Sequence, residues 1–171
     1  MSRLGKISSM QRMIQRVRSE KIPKVEGKTL HDLTLPDELK LTEKNKTFLQ
    51  YDSGQNNNRF MIFTTYANLM KLSQCEIWAG DGTFRSVPVL FKQLYSLHGV
   101  IDGHTLPLVY MLSSRKSKTV YRQILQKIKE LLPDNIMLRR MLTDYELSFV
   151  NAFKNVFIDV HVSGCFFHYT Q

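Results

Sequence analysis

Cysteine is scarce in this sequence, with only Cys75 and Cys165 among 171 residues. Two cysteines far apart in the chain cannot build a disulfide framework, which indicates a reducing compartment. Long apolar runs are also missing. No apolar run approaches the roughly 20 residues that cross a bilayer. The beginning of the chain also contains no apolar segment of the length found in signal peptides. We therefore expect a soluble protein of the nucleus or cytoplasm that is neither secreted nor bound to a membrane.

Internal repeats, long low-complexity tracts and zinc-finger spacings are absent as well. What is present is an ordinary globular composition, with 43% apolar residues. That fraction supports a packed core, and the length suits one domain or one domain with a short lead-in.

Positive charge is concentrated at the beginning of the chain. The formal net charge is +9, and residues 1–28 contain eight basic and two acidic side chains. Residues 8–20 have the spacing of a helix whose polar face carries Arg12, Arg16 and Arg18. This face either contacts the phosphates of a nucleic acid or is simply solvated. Residues 24–46 are polar and irregular, typical of a connecting segment.

The remaining pattern alternates strands and helices. A hairpin is predicted at 47–51 and 59–63, then a helix at 66–74 capped by Thr64 or Thr65. Strands follow at 77–79, 91–100 and 105–112, and Asp102-Gly103 forms a tight turn between the last two. The clearest helix spans 117–132; a strand at 139–143, a helix at 145–157 and a strand at 160–162 complete the order. This order predicts an α/β fold with a mixed sheet flanked by helices.

Two aspartates stand where strands of this sheet are predicted to end. Asp81 follows the apolar strand 77–79, and Asp144 follows the strand 139–143. If the two strands are neighbours, both carboxylates lie at one edge and suit Mg²⁺ or Mn²⁺, which prefer oxygen ligands. The alternative is that both aspartates are ordinary turn or cap residues.

A set of motifs in the second half of the chain resembles a known family. The motifs are Asp81-Gly82-Thr83-Phe84, Leu90-Phe91-Lys92-Gln93-Leu94-Tyr95, His98-Gly99, Pro107-Leu108-Val109-Tyr110, Thr143-Asp144-Tyr145-Glu146 and Gly164-Cys165-Phe166-Phe167-His168. Together they resemble the transposase domain of Mutator-like elements (MULE) over residues 30–171. On this basis residues 1–46 are a basic helix and connecting segment. Residues 47–171 are a partial MULE domain, with its core from about residue 76.

The resemblance implies a ribonuclease H-like fold with catalytic Asp, Asp and Glu. Asp81 and Asp144 match the two aspartates, and Cys165 and His168 match the family's Cys-x-x-His signature. The implied reaction is cleavage and joining of DNA with Mg²⁺ or Mn²⁺, so DNA is the expected partner. A zinc site is not expected, because Cys165 and His168 supply only two of the four ligands that structural zinc requires.

One departure from the family pattern changes the expected activity. The third carboxylate of the family lies well beyond the Cys-x-x-His signature, and only Glu146 and Asp159 follow Asp144 here. Neither is a convincing substitute, so we expect a catalytically defective transposase domain, C-terminally incomplete. The alternative is a non-catalytic remnant that binds nucleic acid or protein. The incomplete sheet would expose apolar surface, which a homo-oligomer or another protein partner would cover.

Overall fold

The computed structural model describes residues 25–83, 87–144 and 146–164. The helices in these ranges are α1 (Asp37–Lys40), α2 (Tyr66–Ser73), α3 (Lys118–Leu131) and α4 (Leu147–Val156). The strands are β1 (Leu49–Asp52), β2 (Phe60–Phe63), β3 (Ile77–Thr83), β4 (Gln93–Ile101), β5 (His104–Ser113), β6 (Arg140–Thr143) and β7 (His161–Gly164). Among the described helices, none has the length and apolar character that crossing a membrane requires.

All of these strands form one sheet in the order β1-β2-β5-β4-β3-β6-β7. Strands β1 to β5 pair antiparallel, whereas β6 lies parallel to β3 and β7 lies parallel to β6. The parallel pairs are the ones joined through α3 and α4, because a chain needs a crossover to return in the same direction. The predicted α/β fold with a mixed sheet is confirmed.

The turn between β4 and β5 has the predicted geometry. Asp102 and Gly103 have φ angles of 50° and 76°, and positive φ at both central residues is typical of a type I′ hairpin. The pairing shifts register between Leu97 and His98, opposite Pro107. Proline cannot donate a ladder hydrogen bond, so a bulge accommodates it there.

Helices α2, α3 and α4 pack on the same face of the sheet, which we call the helical face. Their apolar residues form one core with Trp78 of β3 and with Tyr95 and Leu97 of β4. The Thr65 side chain caps α2 by accepting from the Asn68 amide at 3.2 Å, and Ser117 caps α3 in the same way. Of the two predicted caps for α2, the structure uses Thr65.

One residue of α4 departs from the sequence pattern. The apolar residues of 145–157 predict one buried side that includes Leu147, Phe149 and Phe153, but Leu147 is 73% exposed. The buried residues are Phe149, Ala152, Phe153 and Val156, which repeat at helical spacing. Residues two positions apart point to different sides of a helix, so burying Phe149 turns Leu147 toward solvent.

The opposite face of the sheet has a smaller core. It consists of Leu33, Met61, Phe91 and Leu112, and partly buried leucines from residues 30–49 pack against it. The connecting segment predicted at 24–46 is therefore mostly irregular, as expected, but it covers the β2 and β5 part of this face. Within the described ranges, no helix lies over the β3, β6 and β7 part.

Candidate functional site

Asp81 lies within β3, two residues before the strand ends at Thr83. The sequence predicted a strand ending near Asp81, and the difference has a clear cause. Parallel pairing with β6 stops at Gly80 and Thr143, whereas antiparallel pairing with β4 continues to Thr83 and Leu94. Asp81 is thus held by one neighbouring strand and lies just past the last pair of the other.

Asp144 occupies the equivalent position on β6. It directly follows Thr143, the last residue of that strand, so it is the next residue after the same Gly80–Thr143 pair. Neighbouring strands lie about 4.8 Å apart. The two aspartates therefore leave adjacent strands at the same edge of the sheet, as the sequence predicted.

Gly82 makes room for Gln93 and Tyr95 beside the Asp144 carboxylate. A Cβ at Gly82 would lie only 2.6 Å from Gln93 Nε2 and 3.2 Å from Tyr95 Cδ2, but at an ordinary contact distance of 3.4 Å from Asp144 Oδ2. The backbone amide of Glu146 donates to Asp144 Oδ1 at 3.4 Å, and the Thr143 hydroxyl donates to the same oxygen at 3.3 Å. Asp144 is therefore oriented by its own turn.

Two buried tyrosines support this edge from the helical face. The Tyr95 hydroxyl shares a 2.6 Å hydrogen bond with Thr143 Oγ1. The Tyr121 hydroxyl of α3 donates to Glu146 Oε1 at 2.7 Å and also contacts Gln93, while Gln93 Nε2 donates to Glu146 Oε2 at 3.1 Å. Both carboxylate oxygens of Glu146 are thus engaged by side chains from α3 and β4.

The electrostatics of Tyr95 reflect the carboxylates at this edge. Burial raises the pKa of the Tyr95 hydroxyl, the negative charges of Asp144, Glu146 and Asp81 raise this pKa further, and the hydrogen bond with Thr143 lowers it. Three carboxylates therefore act on one buried hydroxyl at this edge. Negative charge of this kind attracts a cation.

Asp81 also faces a histidine on the side of the sheet away from the helices. Directly opposed residues of an antiparallel pair share a face, so Asp81 lies with its partner Ser96. The Ser96 hydroxyl is 2.8 Å from His98 Nε2. Burial lowers the pKa of His98, and the charge of Asp81 partly offsets this lowering. His98 is therefore hydrogen-bonded within the sheet.

These opposing effects predict the titration of His98. Replacing Asp81 with asparagine removes the charge that favours the imidazolium, so the pKa of His98 should fall further. Because this pKa lies below the ordinary value of 6.5, the unfolded chain binds the proton more readily, and stability falls as the pH drops below 6.5. An NMR titration of the His98 ring measures the shift, with Asp134→Asn as the control. An unchanged or higher pKa in Asp81→Asn would contradict the arrangement.

The available ligands suit a hard divalent cation. Mg²⁺ and Mn²⁺ bind carboxylate oxygens, and Mg²⁺ keeps several of its waters. Across residues 25–83, 87–144 and 146–164, no group of three His, Cys, Asp or Glu side chains is arranged to hold a metal. A divalent cation at Asp81 and Asp144 would therefore rely on water for most of its ligands.

Several predicted site residues lie outside the described residues. These are Arg12, Arg16 and Arg18 of the basic arm and Cys165 and His168 of the Cys-x-x-His signature. Their roles stay predictions, as does the metal role of Asp81 and Asp144. The aromatic residues Trp78, Phe91 and Tyr95 are buried, as expected for core packing rather than base stacking.

The supporting residues Gln93 and Tyr121 were missed as site residues by the sequence analysis. Gln93 is fully buried in β4 on the same face as Tyr95 and Leu97, and a polar residue on the apolar face of a strand is the signal that indicates a buried partner. In the sequence, Tyr121 is recognisable only as one of the apolar residues on the buried side of a helix. Helical spacing does not reveal that its hydroxyl forms a hydrogen bond.

The fold and site define a class: a mixed α/β domain with aspartates at one edge of adjacent parallel strands. The family model of the MULE transposase domain matches residues 77–171, more than half of the chain. The chain therefore belongs to the MULE transposase domain family, which confirms the resemblance. A comparison with curated proteins finds no match.

Proposed function

We propose that this protein is a transposase-derived domain that binds DNA and holds Mg²⁺ or Mn²⁺ with Asp81 and Asp144. The activity of the intact site would be metal-dependent cleavage and joining of DNA strands on a ribonuclease H-like fold. The observation that carries the proposal is the register of β3 and β6. Asp81 and Asp144 both follow the last paired residues, Gly80 and Thr143, and the chain belongs to a transposase family.

The residues have distinct parts in this proposal. A bound divalent cation would stabilise the charge that develops on a phosphodiester and help to activate the attacking oxygen. Asp81 and Asp144 would bind the cation. Tyr95, through Thr143, and the backbone amide of Glu146 orient Asp144, and Gly82 leaves space for Gln93 and Tyr95 beside it.

We further propose that cleavage by the described part of the chain is strongly impaired. Glu146 is the acid closest in sequence to Asp144, but Tyr121 and Gln93 engage both of its oxygens. Turning Glu146 toward a metal would break these partly buried hydrogen bonds and leave polar groups of Tyr121 and Gln93 unpaired, which is costly. A third carboxylate from outside the described residues would be needed for efficient turnover.

Calorimetric titration with Mn²⁺ tests the metal site. The wild-type protein should bind weakly, and Asp81→Asn and Asp144→Asn should each abolish the measurable heat, because each removes one of two charged ligands. Asp102→Asn, at the turn on the other end of the sheet, is the matched control and should bind like the wild type. Equal binding by all four proteins would refute the site, and so would a lack of binding in all four.

A non-catalytic binding remnant is the second candidate function. The observation that favours it is the β3, β6 and β7 part of the sheet. On the face opposite the helical face, no described helix covers this part. A homo-oligomer or another protein would cover this surface, and the protein would act in the nucleus or cytoplasm. Retained DNA binding without Mn²⁺ binding would support this candidate over the metal-dependent one.

A further inference from the structure

A basic pocket lies in the connection between β5 and α3. Its cavity has a volume of about 730 Å³, and its charged lining consists of Lys92, Arg115 and Lys116. The neutral polar lining includes Asn57 and Ser117, and no acidic side chain of the described residues contributes to it. The charges of the pocket thus have a single sign.

Lys92 and Arg115 are available to a ligand in the pocket. Both residues are exposed. Arg115 Nε donates to the Asn57 carbonyl oxygen at 3.4 Å, which uses one of the five N–H donors of the guanidinium and fixes the base of the side chain. Ser117 begins α3, a helix of 14 residues, so the positive end of that helix points to the same region. Together these groups favour an anion with several oxygens.

The pocket lies at the same end of the sheet as Asp81 and Asp144. Lys92 precedes β4, and the first residues of β4 pair with the last residues of β3. The backbone amide of Lys92 donates to the carbonyl oxygen of Ser113 at the end of β5. Helix α3 also connects the pocket to the carboxylates. Tyr121 lies one turn beyond Ser117 and donates a hydrogen bond to Glu146, whose backbone amide donates to Asp144. The basic pocket and the carboxylates therefore share one edge.

The distance between the two features suits a DNA strand. Asp81 on β3 and the end of β5 are two strands apart, a lateral separation of roughly 10 Å. Asp81 lies level with Tyr110 through Ser96, and β5 ends three residues later at Ser113, roughly 10 Å further along the strands. The separation is thus about 14 Å, which a DNA strand covers within a few nucleotides. A strand whose phosphodiester lies at the carboxylates thus brings a neighbouring phosphate to the pocket.

We infer that the pocket formed by Lys92, Arg115 and the start of α3 binds a backbone phosphate of DNA a few nucleotides from the carboxylate edge. This inference rests on the proposed function, because it presupposes that DNA lies across Asp81 and Asp144. The contact is independent of sequence and positions the strand. The positive side chains of Lys92 and Arg115 would also offset the repulsion between DNA and the carboxylates.

The salt dependence of DNA binding tests this pocket. Fluorescence anisotropy with a labelled duplex, in EDTA and across roughly 50 to 200 mM salt, compares the full chain with Lys92→Gln/Arg115→Gln. Each lost phosphate contact lowers the slope of log K against log salt by about 0.9. In this proposal the pocket holds one phosphate, so the double variant should lose about 0.9 from the slope and bind roughly eightfold more weakly near 0.1 M salt.

The matched control is Lys71→Gln/Arg139→Gln, which removes one lysine and one arginine at the other end of the sheet. Both double variants keep the basic N-terminal arm, so any difference between them arises from position. An unchanged slope and affinity in the control, with the expected loss in the pocket variant, would support the inference. Equal weakening by both variants would overturn it and leave the proposed function standing, because DNA would then be held by diffuse charge.

Two further outcomes separate the inference from the proposed function. Inorganic phosphate serves as a second probe in calorimetry. If the pocket variant loses phosphate binding but binds DNA normally, the pocket is an anion site outside the DNA path and the inference fails. If the wild-type chain binds no duplex at any salt concentration, the inference and the DNA-binding function fail together.

Discussion

Replacing Phe149 with alanine is expected to lower the free energy of unfolding by about 3–5 kcal/mol, the usual cost of removing a buried phenylalanine. Phe149 is fully buried. Its ring stacks on Tyr95 with centroids 4.1 Å apart and meets Tyr121 edge-on at 5.5 Å. The substitution therefore removes a ring that joins α4 to both tyrosines below the carboxylate edge.

Urea unfolding followed by circular dichroism measures this loss. Leu147→Ala is the control on the same helix, because Leu147 is 73% exposed and should change the stability by less than about 0.5 kcal/mol. A loss below about 1 kcal/mol for Phe149→Ala would mean that the ring does not pack as described. If the Phe149→Ala chain is unfolded without urea, Phe149→Leu provides the measurable variant and should lose a smaller amount.

Replacing Arg59 with methionine is expected to lower the free energy of unfolding by about 3 kcal/mol. The Arg59 side chain is 5% exposed and pairs with Asp52 through Nη2 at 2.6 Å and Nε at 3.0 Å. Its Nη1 donates to the Leu30 and Leu33 carbonyl oxygens at 2.7 and 2.9 Å. The value lies at the low end for a broken buried pair, because the Asp52 side chain is 25% exposed and keeps some hydration.

The same substitution should release the segment that covers the second core. Hydrogen exchange at the Leu33 amide should accelerate more than exchange in α3, because Arg59 joins residues 30–33 to the hairpin of β1 and β2. Arg139→Met is the control, since its pair with Glu76 is exposed and 3.8 Å long and should contribute almost nothing. The double variant Asp52→Asn/Arg59→Met should recover part of the loss, because it leaves no unpaired charge.

The two stability predictions and the two binding predictions concern the same edge of the sheet. The stacked rings of Phe149 and Tyr95 hold α4 against β4. Tyr95 is hydrogen-bonded to Thr143, which donates a hydrogen bond to Asp144. Weaker Mn²⁺ binding in Phe149→Ala, in protein that is still folded, would show that the aromatic core orients the carboxylate. The pocket at Lys92 and Arg115 should be unaffected by that change, since Phe149 is not among its lining residues.

Local sequence pattern determined the elements of this protein and their order. The turn at Asp102-Gly103, the cap at Thr65 and the stripe of α3 depend on residues within one or two turns of each other, so they can be read without a structure. The positions of Asp81 and Asp144 near strand ends followed from the same information, because an apolar strand followed by an aspartate indicates where a strand leaves the core. That they lie at one edge depended on the pairing of β3 with β6, which only the structure shows. The family, and with it the expected metal and DNA chemistry, was also evident from motif order.

Only the tertiary structure decided which distant side chains meet. Gln93, Tyr121 and Glu146 come from a strand, a helix and a helix start that are far apart in the chain, and periodicity reveals burial but not hydrogen-bonding partners. The extension of β3 to Thr83 depends on how long β4 stays paired with it. The cover provided by residues 30–33 depends on Arg59, and the pocket depends on the end of β5 meeting the start of β4. Each of these features is a long-range contact, and long-range contacts form only when the sheet order is settled.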